Sequence, residues 1–346
     1  MRRSSKILAP ALAFVIFLGS ALPREVNAKS SAKPFLWSEP TDIQQRDLFY
    51  GIGGREKAPI HGPFTFVKED LDGSSPKFIV KDARGMKWKV KLGDEVRAET
   101  AVTRFVWAAG YLVDTDYFVA KQEVLNLPPK LKRGSKYVND DGIVMDARWE
   151  RMDHKKEGNW KWKKNAWSDS RELNGLKVLM ALFNNWDLKD TQNAIYSGPD
   201  GSKMAVSDLG ATLGPTRARW PFNTPKSKTE IYDKSGFITS TSDKKVNFAT
   251  PTWPFLFGIM PLPPLPYTTL TYPVKLVGMQ PVMNPINHAF LGKGIPREDA
   301  RWIGEVLGRL SPKQIRDAFR GAGFTPEEGE AFSRTVERRI AELNQL

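Results

Sequence analysis

The region between residues 185 and 210 carries the residue types that phosphoryl transfer requires. Asp187 can accept the proton of an attacking hydroxyl, and Lys189 can neutralise a transferring phosphate. Asn193 and Asp208 offer an amide and a carboxylate, which are suitable Mg²⁺ ligands, and a hairpin predicted between them would let them converge. We therefore predict Asp187 and Lys189 as catalytic and Asn193 and Asp208 as metal ligands. The alternative is a polar loop followed by an ordinary strand-end turn.

A turn further upstream could hold the phosphates of a nucleotide. Residues 72–77 read Asp-Gly-Ser-Ser-Pro-Lys and join two predicted strands. Glycine permits close backbone approach, and exposed N–H groups and hydroxyls can cradle phosphate oxygens. The nucleotide-binding candidates here are Gly73, Ser74, Ser75 and Lys77. An ordinary hairpin turn is the alternative.

A lysine and a glutamate could fix the same phosphates. Lys91 ends the third predicted strand, and Glu99 follows it by eight residues in a predicted helix, so the two can pair and orient the ammonium. Glu95 is the second choice of partner. The alternatives are a solvated basic strand face for Lys91 and a surface carboxylate for Glu99.

The periodicity that must position these residues changes along the chain. Alternation predicts strands over 63–70, 76–82 and 87–92, joined by short turns into an antiparallel meander. Spacings of three and four predict a helix over 95–111, and 117–122 is predicted as a further strand.

The second half of the sequence is less regular. Residues 126–141 are predicted as a linker between lobes, 144–152 as a strand, and 173–183 as a helix. Residues 215–296 have many prolines and no sustained period, which is typical of a long irregular functional segment. Capping boxes at Ser311 and Thr325 predict C-terminal helices within 297–346.

Composition excludes several classes of protein. The chain has 346 residues, 52 Lys+Arg, 39 Asp+Glu, three His, no Cys and a net charge of +13. Disulfide scaffolds, zinc fingers and thiol nucleophiles are thus excluded, whereas 40% hydrophobic residues suffice for a packed core.

The amino terminus indicates export. A basic start, an apolar run and a small-residue site near Ala28 are typical of a signal peptide over residues 1–28, with a retained anchor as the alternative. We expect a periplasmic or secreted monomer with a flexible leader over 29–45. Its basic surface favours an anionic envelope partner over nucleic acid, and the alternative is an ordinary solvated surface on a basic protein.

Taken in order, these segments resemble the HipA-like branch of the kinase superfamily, which is related to phosphatidylinositol kinases and secreted Fam20-type kinases. The resemblance covers roughly residues 63–214 and depends on the turn at 73–77, the strand Lys89-Val90-Lys91, the helix with Glu99, and the Asp-x-Lys and Asp-x-Gly motifs. It implies an α+β, bilobal, protein-kinase-like fold that binds ATP or another nucleotide with Mg²⁺ or Mn²⁺. The N-lobe, residues 46–125, would hold the meander and one helix. The C-lobe, residues 126–346, would be mainly helical, with a hairpin and the irregular segment.

The sequence leaves two main hypotheses. The first is an exported atypical kinase that phosphorylates a protein, lipid or sugar. Kinases of this type place a metal-binding Asn five residues after the catalytic Asp, where this chain has Gln192. The second is therefore a catalytically inactive kinase-fold module of the cell envelope. It would grip an anionic or carbohydrate partner through the Lys- and Trp-rich 154–167 stretch, including Trp160 and Trp162, and through an aromatic groove.

The aromatic groove of the second hypothesis would be formed by Trp220, Trp253, Phe255, Phe257 and Tyr267. The alternative is that these side chains are the buried packing of an irregular loop. A hydrolase of another class ranks last, because the sequence has no Gly-x-Ser-x-Gly motif.

Overall fold

The chain combines β-sheets and helices in a mixed α/β fold. A computed structural model describes residues 33–59, 62–185, 187–198, 201–215, 226–249 and 291–346. All of these residues belong to one unit, Lys33–Leu346.

The strands and helices follow one another in blocks. The strands are β1 (Phe64–Asp70), β2 (Lys77–Lys81), β3 (Lys87–Lys91), β4 (Leu112–Val113), β5 (Asp116–Leu125), β6 (Ile143–Arg151), β7 (Lys156–Gly158), β8 (Ala194–Gly198), β9 (Gly201–Val206), β10 (Ile238–Thr241), β11 (Lys245–Phe248) and β12 (Ile295–Pro296). The helices are α1 (Val96–Ala108), α2 (Arg171–Leu182), α3 (Thr229–Asp233), α4 (Arg297–Leu307), α5 (Pro312–Gly321) and α6 (Pro326–Asn344).

The first sheet closes into a barrel in the order β1-β2-β3-β6-β5. The predicted meander β1-β2-β3 is present and antiparallel, and a short parallel pairing of β1 with β5 closes the circle. Alternate residues such as Trp88 and Val90 of β3 point inward and pack on Phe64, Phe78 and Trp149. This alternation is the reason that the sequence pattern predicted the strands.

The lobe boundary predicted at residues 125 and 126 falls inside this barrel. Strand β6 lies beyond it, yet pairs with both β3 and β5. The predicted linker is therefore the connection between two neighbouring strands, with a single 3₁₀ turn at Ser135–Tyr137. Its Pro, Gly and Lys content is equally suited to a surface loop, so composition alone could not separate the two.

Residues 33–45 are packed, and the prediction of a flexible leader does not describe them. Phe35 and Trp37 form β-bridges with Lys203 and Tyr111, and Leu36 and Ile43 are fully buried. The segment is polar on average but places its few apolar side chains inward, and an average over the segment conceals this.

Part of the predicted irregular segment, 215–296, is regular. Helix α3 and the antiparallel strands β10 and β11 lie within it, with Tyr232, Val246 and Phe248 buried. These elements are too short for periodicity to reveal. The five residues of the predicted aromatic groove lie outside the described residues.

The remaining predicted elements are present. Strands β8 and β9 form the predicted hairpin in a sheet of order β4-β9-β8-β7, and α2 matches the predicted helix. Helices α5 and α6 begin with the predicted capping boxes at Ser311 and Thr325. No helix in the described part of the chain is both long and apolar enough to span a bilayer. The predicted signal peptide lies outside the described residues.

Candidate active site

The ammonium of Lys91 lies at the centre of the candidate site. Its Nζ is 2.7 Å from a carboxylate oxygen of Glu95, 2.7 Å from one of Glu99 and 2.8 Å from Oδ1 of Asp208. The predicted pair of Lys91 with Glu99 is therefore present, and the second-choice partner Glu95 contacts the same ammonium. Asp208 is 117 positions from Lys91 in the sequence, so the fold brings distant segments together here.

The connection from β3 to α1 explains why both glutamates reach Lys91. The chain turns at Gly93, whose φ of +104° favours glycine, and α1 begins at Val96. Glu95 is the residue before the helix and Glu99 follows it by four positions, so the two side chains lie one turn apart on the same face.

Burial and charge together set the ionisation of these groups. Burial alone would lower the pKa of Lys91, but Glu99, Asp208 and Glu95 outweigh it and raise that pKa well above its usual value. Burial raises the pKa of Glu99 to about 7, although Arg148 and Lys91 act to lower it. Lys91 is therefore a fixed cation at neutral pH.

Asp208 joins Lys91 to the loop before the hairpin. It follows β9 with a positive φ of 55°, and its Oδ1 and Oδ2 accept hydrogen bonds from Lys91 and Gln192. Burial would raise its pKa, but the adjacent Lys91 ammonium lowers it below the ordinary value. Two residues later, Gly210 lets Glu95 approach, because a Cβ there would be 2.7 Å from the Cβ of Glu95.

Gln192 bridges the two carboxylates predicted for chemistry. Its Nε2 donates to Oδ2 of Asp187 at 2.8 Å and to Oδ2 of Asp208 at 2.9 Å. Its Oε1 accepts from the backbone N–H of Lys189, whose ammonium is 2.8 Å from Oδ1 of Asp187. An unbroken hydrogen-bonded chain therefore runs Glu99, Lys91, Asp208, Gln192, Asp187 and Lys189.

Asn193 does not take part in this chain, contrary to its prediction as a metal ligand. Its side chain is buried, and Nδ2 donates to the carbonyl oxygen of Trp160 at 3.1 Å. Gln192 ends the 3₁₀ turn, whereas Asn193 is extended and directly precedes β8, so the two side chains point in different directions. Gln192, five residues after Asp187, faces the site in place of Asn193.

The predicted phosphate turn reaches the site through Ser75. Its Oγ donates to Oε2 of Glu95 at 2.8 Å, whereas Ser74 is exposed. Gly73 has a φ of +65°, and its carbonyl accepts from Arg133. The Lys77 ammonium donates to the carbonyl of Asp72 inside the turn, although Lys77 lies opposite Lys91 in the β2–β3 pairing.

A buried ion network that no sequence motif indicated holds the other carboxylate oxygen of Glu99, Oε1. Arg148 on β6 is 3.4 Å from Glu99, 2.6 Å from Asp116 and 2.7 Å from Glu150. Asp116 also pairs with Arg104 of α1 at 2.6 Å. The signal was weak, because single charged residues in amphipathic strands usually face solvent.

The site contains oxygen ligands that suit a divalent cation. The carboxylates of Glu95, Glu99 and Asp208 lie within 4.8 Å of one another, but the Lys91 ammonium already lies among them. Asp187 and Asp208 instead flank a single neutral amide, Gln192. By donor type these two carboxylates fit Mg²⁺ or Mn²⁺, provided that the Gln192 amide group turns.

Trp160 and Trp162 are core residues, which corrects the predicted partner-binding stretch. Each is 3% exposed, their rings are 4.7 Å apart, and Trp160 Nε1 donates to the carbonyl of Ala205. They support the β8–β9 sheet and cannot grip a partner from within the core.

Comparison with known proteins identifies no family. No family model and no curated protein matches the sequence. Among solved structures, the chain is similar to a Helicobacter pylori proinflammatory kinase, CtkA, with a TM-score of 0.43 and 11% identity. The match covers 83% of this chain and 98% of that chain. This likeness is too distant to define a family.

Proposed function

We propose that this protein is a kinase-like phosphotransferase that binds a nucleotide with Mg²⁺ or Mn²⁺ at the site around Lys91. The observation that carries the proposal is the unbroken chain of contacts from Glu99 through Lys91, Asp208 and Gln192 to Asp187. Phosphoryl transfer needs a fixed cation, metal-binding carboxylates and a proton acceptor in one place. The sequence predicted each of these roles separately, and their side chains meet.

Each residue has a role in this proposal. Lys91, held by Glu99, would bind phosphate oxygens of the nucleotide. Asp208 and Asp187 would hold the divalent cation, which neutralises charge on the phosphates when it is bound. Asp187 would accept the proton of the attacking hydroxyl, with its orientation set by Lys189 and Gln192.

One observation favours the second candidate, a catalytically inactive kinase-fold module. The Gln192 amide lies between Asp187 and Asp208, where a catalytic metal would be expected, and Asn193 faces away. Such a protein would bind the nucleotide without transferring phosphate, or bind an anionic partner at the same cations.

Thermal unfolding and ATP turnover separate these possibilities. A phosphotransferase predicts a rise in the unfolding midpoint with ATP and Mg²⁺ or Mn²⁺, and slow release of phosphate when water replaces the acceptor. Asp208→Asn should lose both effects, and Asp187→Asn should lose the release of phosphate more than the thermal shift. A thermal shift without turnover in any metal favours the inactive module. No shift, or an equal shift in Asp208→Asn, contradicts nucleotide binding at this site.

A further inference from the structure

Glu95 contacts donors from three separate segments of the chain. Its carboxylate accepts a hydrogen bond from the Ser75 hydroxyl and pairs with the ammonium groups of Lys91 and Lys226. The three partners come from the β1–β2 turn, the end of β3 and the segment after Asp208. Two ammonium groups and a hydroxyl converging on one oxyanion are also the donors that a phosphate group attracts.

We propose that Glu95 occupies an oxyanion site formed by Ser75, Lys91 and Lys226, and that a phosphate or diphosphate group takes its place. The identification of that group as part of a nucleotide rests on the proposed function, whereas the oxyanion site itself does not. Lys226, which belongs to no motif of the sequence, thereby becomes a ligand-binding residue.

Like-charge repulsion supports this exchange. The Glu95 carboxylate already lies against the donors of Ser75, Lys91 and Lys226, so a phosphate added beside it would be repelled. When Glu95 turns away, the same donors face an anion without that repulsion.

Glu95 is the one of the three carboxylates that can leave. Glu99 is enclosed on α1 and is also held by Arg148, and Asp208 is joined to Gln192. Glu95 lies just before the first helical residue, after a turn at Gly93, and its side chain contacts the three donors of the proposed site. Its departure costs Lys91 one contact of three, so Lys91 remains fixed by Glu99 and Asp208.

Inorganic pyrophosphate tests the site without any need for a nucleotide pocket. The full chain and its variants would be titrated calorimetrically with pyrophosphate, after confirming that each variant unfolds cooperatively. Glu95→Gln keeps the shape and removes the charge, and it should bind pyrophosphate at least about 10-fold more tightly than the unaltered protein, because like-charge repulsion is removed. Asp94→Asn is the matched control, since it removes an exposed neighbouring charge.

Lys226 is tested in the Glu95→Gln background. Lys226→Gln should abolish most of the gain, whereas Lys228→Gln, at an exposed lysine two residues away, should leave it. The inference is overturned if Glu95→Gln binds no more tightly than Asp94→Asn, or if Lys226→Gln preserves the gain.

A parallel titration with ATP and Mg²⁺ separates this inference from the proposed function. Tighter pyrophosphate binding in Glu95→Gln, without binding of ATP and Mg²⁺ in either protein, contradicts the proposed function and supports the oxyanion site. Equal binding of ATP and Mg²⁺ by both proteins, with no gain for pyrophosphate, supports the function and contradicts the role of Glu95.

Discussion

At the scale of single residues, the site depends on which atoms of neighbouring side chains face each other. The sequence predicted the pair of Lys91 and Glu99 from a strand-end lysine and a helical glutamate. The sequence could not show which of Gln192 and Asn193 faces the site. The two residues are adjacent, and the direction of each side chain depends on where the 3₁₀ turn ends and β8 begins. Lys226 was beyond prediction, since a single lysine in an irregular segment has no pattern.

The uncharged amide of Gln192 lies between two carboxylates. A negative charge introduced at position 192 should therefore promote metal binding. Gln192→Glu places a third carboxylate beside Asp187 and Asp208 and should lower stability in EDTA by about 1–3 kcal/mol. Mg²⁺ or Mn²⁺ should restore the unfolding midpoint, as measured by thermal denaturation. Gln44→Glu, at an exposed position, is the control. A destabilised Gln192→Glu protein that gains nothing from either metal argues against a metal site here.

The pH dependence of stability should reveal the charge on Glu95. Burial would raise the pKa of Glu95, but Lys91 and Lys226 lower it below its ordinary value of 4.5. Its contribution is therefore present above about pH 4.5 and lost as pH falls toward the folded-state pKa.

The lowered pKa of Glu95 predicts how the stability of Glu95→Gln should depend on pH. The variant should be less stable than the unaltered protein by about 1–2 kcal/mol at pH 7, with the difference shrinking as pH falls below about 4.5. Urea denaturation between pH 7 and pH 3 measures this. If the difference in stability between the two proteins stays constant with pH, the negative charge of Glu95 does not contribute to its contacts.

At the scale of elements, the barrel and α1 position the cation and its carboxylates. Alternation predicted β1, β2 and β3, and three- and four-residue spacing predicted α1, because each of these elements buries one face. Closure of the barrel was not predictable from the strand patterns. It requires β6 to pair with β3 and β5, and β5 to pair with β1, and these strands are separated by segments at least about as long as the predicted linker. The packing of residues 33–45 was not predicted, because only isolated apolar side chains of this segment enter the core and they form no periodic pattern.

Substitution of Arg148, which lies in the buried ion network next to Glu99, should strongly lower the free energy of unfolding. Arg148→Met removes the cation that the buried carboxylates of Asp116 and Glu150 share, and the loss of this buried partner should cost about 3–5 kcal/mol. Arg97→Met is the control, because its longer ion pairs at 3.6 and 3.9 Å are partly exposed and should contribute less than about 1 kcal/mol. Equal losses in urea denaturation would mean that the network does not organise the barrel.

The packing of residues 33–45 is tested by two neighbouring substitutions. Leu36 is fully buried, so Leu36→Ala should lower the free energy of unfolding by about 2–4 kcal/mol. Phe35 is 40% exposed, so Phe35→Ala should cost clearly less although it removes a larger side chain. If both changes are neutral, residues 33–45 are a leader, as the sequence analysis expected.

At the scale of the whole molecule, the site joins segments that are far apart in the sequence. The β1–β2 turn, the end of β3, α1, the loop before β8 and the residues after β9 all contribute a side chain. The order of these segments could be predicted from motifs, but their meeting point could not, because it depends on the packing of the whole chain. The net positive charge of the sequence does not identify a partner. Two of its lysines, Lys91 and Lys226, nevertheless have defined positions in the site.

The affinity for ATP in the presence of Mg²⁺, measured by calorimetry for the unaltered protein, Lys91→Met and Lys89→Met, tests nucleotide binding at Lys91. The two lysines lie two residues apart on β3, but Lys89 pairs with Glu150 and not with Asp208. We expect that the unaltered protein binds, that Lys91→Met weakens binding at least about 10-fold through loss of a charge-assisted contact, and that Lys89→Met binds nearly normally. Absence of binding in the unaltered protein, or equal binding in Lys91→Met, would contradict a nucleotide site at Lys91.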